Sequence, residues 1–151
     1  MATPKALLVS PDRQWRQSAA EVLEGVGLET AAESSADEGL QSLARTPVDL
    51  VIVESEMEDH DGRWMVRRIR HDYVGKPPRI AVRVGANPSP ESIADLEVDA
   101  MLIAPADQRV VEAVGLGVAR RERQPAADVA RELARLSTLS TDLDGALAEL
   151  A

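Results

Sequence analysis

The chain contains no cysteine. That excludes disulfides, zinc–thiolate centres and thiol nucleophiles. Phenylalanine is also absent, and two Trp and one Tyr are the only members of their kind, so any core must be aliphatic. No apolar stretch approaches the roughly 20 residues that a membrane-spanning helix needs. The N-terminus carries one lysine and a short strand-like run but not the apolar segment of a signal peptide, so a cytoplasmic protein without membrane contact is expected. Basic charge is also scarce: 17 Lys and Arg face 26 Asp and Glu, a net charge of −9. A general nucleic-acid binder needs a basic footprint to neutralise phosphates, so direct nucleic-acid binding is not expected. Glycine-rich phosphate loops, nucleophile elbows and zinc motifs are missing, and no internal repeat is visible. These absences point away from an enzyme and from a resident cofactor.

What remains is a chain of 151 residues, 44% apolar, long enough for one domain with a real core. It is organised around Val48 to Gly62, VDLVIVESEMEDHDG. Leu50 to Val53 is a short run rich in β-branched residues, the pattern of a strand buried on both faces in a parallel sheet. The run stops at Glu54, and an acidic loop leads to a helical pattern. In a doubly wound sheet, ligands and chemistry sit at the carboxyl ends of the strands. Glu54 is delivered to that place.

The remaining elements alternate. Ala6 to Val9 reads as the first strand. Ser10 reads as an N-cap, with Pro11 in the first turn of a helix carrying Trp15, Ala19, Val22, Leu23 and Val26. Leu28 to Ala32 is a weaker strand, and Ser34 or Ser35 caps a helix with Leu40 and Leu43 that ends before Pro47. A third helix, Gly62 to about Asp72, turns Met65, Val66 and Ile69 inward and Arg67, Arg68 and Arg70 outward. Ile80 to Val84 is a strand, Pro90 to Leu96 a short helix and Ala100 to Ile103 a strand. The final helix of the domain carries Val110, Val111, Val114 and Val118 and ends among arginines that suit a helix C-terminus. The expected fold is α/β: a doubly wound, five-stranded parallel sheet flanked by helices, followed by a C-terminal helical extension. The expected boundaries are 1–123 for the domain and 124–151 for the extension.

In that extension Val129, Leu136, Leu143 and Leu150 recur every seven residues, with further leucines beside them. The stripe reads either as a short coiled-coil seam, giving a homodimer, or as a helix docked on its own chain or on a partner. Ser140, Thr141 and Gly145 interrupt it, so one kinked helix or two short ones are expected. The 28 residues after Arg123 are too few for a winged-helix domain and are not basic, which disfavours a DNA-binding regulator.

The order and spacing resemble the receiver domain of bacterial two-component response regulators over about Lys5 to Arg123. The carriers are VDLVIVESEMEDHDGRWMVRRIR, GVGLETAAESSADEGLQSL and VDAMLIAPAD. The resemblance implies a phosphoacceptor pocket with five functional groups, and this chain departs from each. The two acidic residues that hold a magnesium ion are replaced by Ser10 and Pro11, with Asp12 next in line within the first helical turn. Glu54 stands for the acceptor aspartate, Arg83 for the Ser/Thr of strand 4, Ala104 for the lysine of strand 5 and Met101 for its aromatic switch residue. Phosphoryl transfer depends on charge neutralisation and positioning, so these losses predict a vestigial pocket with no metal.

Three readings of that pocket stay open on the sequence. Glu54 and Arg83 pair across adjacent strands, with the longer carboxylate imitating a phosphorylated state as an extension of the same idea. Both side chains point into water, as surface charges usually do. Or another kinase modifies Ser10 or Ser55. His60 lies in the acidic stretch Glu54 to Asp61, which reads as solvated loop charge rather than a metal site, or as a face for a basic partner. Arg63, Arg67, Arg68 and Arg70 read as a solvated helix face, and Trp64 as either exposed at the pocket mouth or packed on the third helix.

The functional expectation is a phosphorylation-independent, receiver-like interaction module in bacterial signalling, binding a protein partner or itself. The resemblance places its interface on Leu96, Met101, Arg109, Glu112 and Arg120, joined by the tail stripe. The competing expectation is an active phospho-switch with a magnesium site rebuilt from Asp12 and other oxygens.

Overall fold

A computed structural model describes residues 3–105 and 107–123. The expectations for 124–151, including Val129, Leu136, Leu143 and Leu150, lie outside the described residues. Among the described residues five strands alternate with five helices. They are β1 (Lys5–Val9), α1 (Arg13–Gly25), β2 (Glu29–Glu33), α2 (Ala36–Arg45), β3 (Leu50–Glu54), α3 (Gly62–Asp72), β4 (Arg79–Val84), α4 (Pro90–Ile93), β5 (Ala100–Ile103) and α5 (Gln108–Arg123). The strands form one sheet in the order β2-β1-β3-β4-β5, every pair parallel. This is the doubly wound α/β fold expected from the sequence. Among the described residues no helix is long and apolar enough to cross a membrane.

The two-residue period of a strand divides the core into two layers. Ala6 and Leu8 of β1 join Leu50, Ile52, Ala81 and Leu102 on one face, covered by Trp15, Ala19 and Leu23 of α1 and by Val111 and Val118 of α5. Leu7 and Val9 join Val51, Val53, Ile80 and Val82 on the other, covered by Leu43 of α2 and by Met65, Val66 and Ile69 of α3. The central strands are therefore apolar at consecutive positions, because each face has its own helical cover. With so few aromatic residues, each layer gains its stability from many aliphatic side chains, about 1.5–3 kcal/mol for each large one fully buried. Gly39 and Gly115 let helices approach closely. A Cβ on Gly39 would lie 2.8 Å from Met65 Cε and Val9 Cγ2, and one on Gly115 would lie 2.6 Å from Leu23 Cδ2.

Several boundaries differ from the sequence reading. Asp12, not Ser10, caps α1: its carboxylate accepts from Trp15 N at 3.1 Å, while Ser10 Oγ accepts from Asp12 N at 3.1 Å. Pro11 and Asp12 thus precede the helix. Ser35 caps α2. β2 begins at Glu29, because Leu28 N is still bonded to Leu23 O at the end of α1. α4 stops at Ile93, and Val110 is 38% exposed instead of facing inward with Val111. Asp12→Ala is expected to cost about 1 kcal/mol in chemical denaturation, the usual value of a lost N-cap.

Candidate functional site

β3 ends on Glu54, and β4 places Arg83 directly opposite it in the register. Both side chains turn toward the region beneath the β1–α1 connection. Arg83 Nη1 donates to Glu54 Oε1 at 3.0 Å and to Oε2 at 3.2 Å. Ser10 Oγ, fully buried at the end of β1, donates to Glu54 Oε2 at 3.3 Å. Arg83 Nε donates to Asp107 Oδ2 at 2.8 Å, and Trp15 Nε1 donates to the same oxygen at 3.1 Å. The guanidinium carbon lies 5.0 Å from the centre of the Trp15 ring, within cation–π range. One guanidinium is thus held between two carboxylates and an indole. Asp107 Oδ1 is buried and has no hydrogen-bond partner among the described residues.

The sequence reading in which both charges point into water is corrected here. The Arg83 side chain is 9% exposed and that of Glu54 16%. A buried arginine needs compensating anions, and two carboxylates converge on it. Burial raises the Glu54 carboxyl above its ordinary pKa, and the opposing effects of Arg83 and Ser10 do not cancel that rise. Burial works against the Arg83 charge, yet the bond to Asp107 and the charge of Glu54 outweigh it and hold its pKa above the usual value.

A raised carboxyl pKa makes the Glu54 contribution to stability fully present below the unfolded-state pKa and lost as pH rises through the folded one. Glu54→Gln keeps the shape and removes the titration. Relative to this variant, the wild-type chain should lose stability as pH climbs from the acid range toward neutrality. Urea denaturation of both chains across that range measures the difference.

Of the other expected pocket residues, Asp12 lies near enough for its charge to raise the Glu54 carboxyl further. Pro11 and Asp12 are exposed. Met101, on edge strand β5 beside Val82, is 36% exposed. Ala104 follows β5 and bonds through its N–H to Val84 O. The resemblance implied a magnesium ion here, and the donor set does not fit one. A hard cation takes several oxygen ligands, preferably carboxylates. The Arg83 cation lies on both Glu54 oxygens, the Ser10 hydroxyl is committed to Asp12 N and Glu54, and Asp12 Oδ1 caps α1. Sequence reasoning missed Asp107 and the polar role of Trp15. An acidic residue just before a helix reads as a cap or a dipole partner; that its carboxylate turns inward to Arg83 depends on tertiary placement alone.

The acidic loop after Glu54 is structural in part. Asp61 Oδ1 accepts from Trp64 N at 2.7 Å and caps α3. Asp59 accepts from Ala36 N and Asp37 N, tying the loop to the start of α2. Slight desolvation would raise the Asp59 carboxyl, but those N–H groups hold it below the usual range. His60 stacks on Trp64 with ring centres 3.5 Å apart and stands 3.5 Å from Asp37. The ligating atoms of Asp37, Asp59 and His60 converge at the surface, but both Asp59 oxygens already serve backbone donors.

Arg67, Arg68 and Arg70 of α3 are exposed, as the sequence reading has it, while Arg63 and Arg70 also bond to the backbone around α4. Arg63 donates to the carbonyls of Glu91 and Ala94, and Arg70 Nε donates to Glu97 O at 3.0 Å. Both satisfy carbonyls in and after α4, a helix of one turn. Arg68 pairs with Asp72 at 3.0 Å. Of the expected interface residues, Arg109, Glu112 and Arg120 are exposed on α5, whereas Leu96 is half-buried and packs on the core. Ile103, 54% exposed beside Met101, was missed.

No protein-family model matches the sequence, and comparison with curated proteins finds no match. Solved structures do match. A CheY-like response regulator receiver domain from Methylobacillus flagellatus superposes with a TM-score of 0.68 at 20% identity, covering 78% of this chain and 99% of that one. The signal receiver domain of an HD domain-containing protein from Pseudomonas fluorescens gives 0.67 at 25% identity, covering 82% and 96%. A two-component response regulator from Clostridium difficile gives 0.69 at 21%, covering 80% and 99%. The chain therefore has the fold of response regulator receiver domains.

Proposed function

We propose that this chain is a receiver-like interaction module of bacterial signal transduction that works in the cytoplasm without phosphorylation of its pocket. The observation that carries the reading is the seating of the Arg83 guanidinium on both oxygens of Glu54. A carboxylate nucleophile must be free to approach phosphorus, with metal and cation arranged to neutralise the transferring group. Here the one cation bonded to the carboxylate among the described residues holds it in place, and Ser10 and Pro11 supply no carboxylate for a metal. A phosphoryl-driven switch also needs an element with two arrangements. The buried ion network stabilises one arrangement.

The output of such a module is contact. The surface formed by β5 and α5, with Met101, Arg109, Glu112 and Arg120, is the proposed face for a protein partner or a second copy. Its mixture of apolar and charged side chains suits a protein surface better than a nucleic acid or a membrane. Amide-resolved NMR during titration with magnesium and beryllofluoride tests the pocket reading. The amides of Ser10, Ser55, Val84 and Ala104 should not shift in a saturable way. Saturable shifts centred on them would favour the competing reading, an active phospho-switch with a rebuilt metal site.

A further inference from the structure

The loop between β3 and α3 is fastened to α2 through Asp59, which accepts from Ala36 N at 3.2 Å and from Asp37 N at 2.9 Å. The next residue, His60, lies flat on Trp64 of α3, with 3.5 Å between ring centres and 13° between ring planes. Its Nε2 stands 3.5 Å from Asp37 Oδ1. One imidazole is thus set between the first turn of α2 and the first turn of α3.

Histidine is the side chain whose ordinary titration falls between about pH 5 and 8. The neutral ring keeps the stack and a weak polar contact with Asp37. The imidazolium adds an ion pair with that carboxylate and an attraction to the π face of Trp64. The surrounding charges favour both additions. Asp37 faces the ring from α2, and Asp59 converges on the same point. Asp61, one residue on, caps α3. Glu38 and Glu58 are exposed on the same two segments. From α3 the opposing charge is Arg68, whose guanidinium carbon is 5.6 Å from the centre of the Trp64 ring; Asp72 pairs with it at 3.0 Å. The other histidine, His71, sits in the last turn of α3 and bonds to Asp72.

We propose that His60 is a pH-sensitive clamp: its imidazolium holds the loop 55–61 against the start of α2, and its neutral ring lets that attachment open more often. The loop leads from Glu54 to α3 and displays Glu56 and Glu58 at the surface. The clamp therefore sets how firmly this acidic surface is held in shape. No pocket side chain takes part, so the clamp works whether or not Glu54 accepts a phosphoryl group.

Amide hydrogen exchange of the full chain, read by NMR near pH 5 and near pH 8 and corrected for intrinsic rates, tests the clamp. The Ala36 and Asp37 amides should be about fivefold better protected at the acid end. His60→Gln should abolish the difference, and His71→Gln should leave it intact. Indole fluorescence supplies a second reading, because a stacked imidazolium quenches the excited ring. Emission should fall through the histidine range in the wild-type chain, and His60→Gln should lack that step. Equal protection at both ends of the range, or a difference that survives in His60→Gln, overturns the proposal. A fluorescence titration identical in the two chains does so as well.

Discussion

Arg83→Met should lower the free energy of unfolding by about 3–5 kcal/mol at neutral pH, the usual cost of breaking a buried ion pair from one side. The expectation follows from position. The guanidinium is the shared partner of Glu54 and Asp107, and the Asp107 side chain is fully buried. Methionine fills much of the volume and keeps the packing against Trp15, so the loss is electrostatic and not a cavity effect. It leaves the Glu54 carboxylate, 16% exposed, with the Ser10 hydroxyl, and Asp107 with the Trp15 indole as its one remaining side-chain donor among the described residues. The penalty should shrink toward acid pH, where Glu54 takes up its proton more readily. Urea denaturation followed by Trp15 and Trp64 fluorescence reads both effects. Adding Glu54→Gln to Arg83→Met should recover part of the loss, and the double-mutant cycle isolates the coupling between the two side chains.

Gly62→Ala is the second large effect. A Cβ at this position would stand 2.6 Å from Glu54 O and 2.9 Å from Ser55 Cα. Both obstacles are backbone, so no side chain can swing away. Gly62 N also donates to Ser55 O at 2.9 Å, closing the acidic loop onto the end of β3. Overpacking typically costs 1–3 kcal/mol, and a rigid neighbour places this variant toward the top of that range, about 3 kcal/mol. The strain would fall on the residue that carries the candidate site. Gly25→Ala is the matched control: nothing lies within 4 Å of its Cβ position, and the change should be neutral or raise stability by about 0.4–1 kcal/mol through the unfolded chain. Thermal melts of the two variants side by side separate close approach from glycine entropy.

The fold was legible because its signals are local. Leu50 to Val53 is apolar at every position and Gly62 to Asp72 keeps a helical period; the helix appears at those bounds and the strand runs one residue further, to Glu54. Caps were less legible, since Ser10 and Asp12 both carry a suitable oxygen and tertiary bonding decides between them. The opposition of Glu54 and Arg83 was readable as adjacent strand ends, but their orientation was not. It depends on Asp107, which is 24 residues from Arg83 and whose carboxylate faces inward. Pairing of that separation leaves no periodicity in a sequence. The same holds for Arg63 and Arg70, whose bonds to the carbonyls around α4 turn an apparently solvated face into a brace.

The central claim is that the pocket accepts no phosphoryl group, and intact-protein mass spectrometry after incubation with magnesium and a small acyl phosphate tests it most directly. The wild-type chain should keep its unmodified mass, and so should Glu54→Gln. A phosphoryl adduct on the wild-type chain that disappears in Glu54→Gln would contradict the claim and make Glu54 a working acceptor.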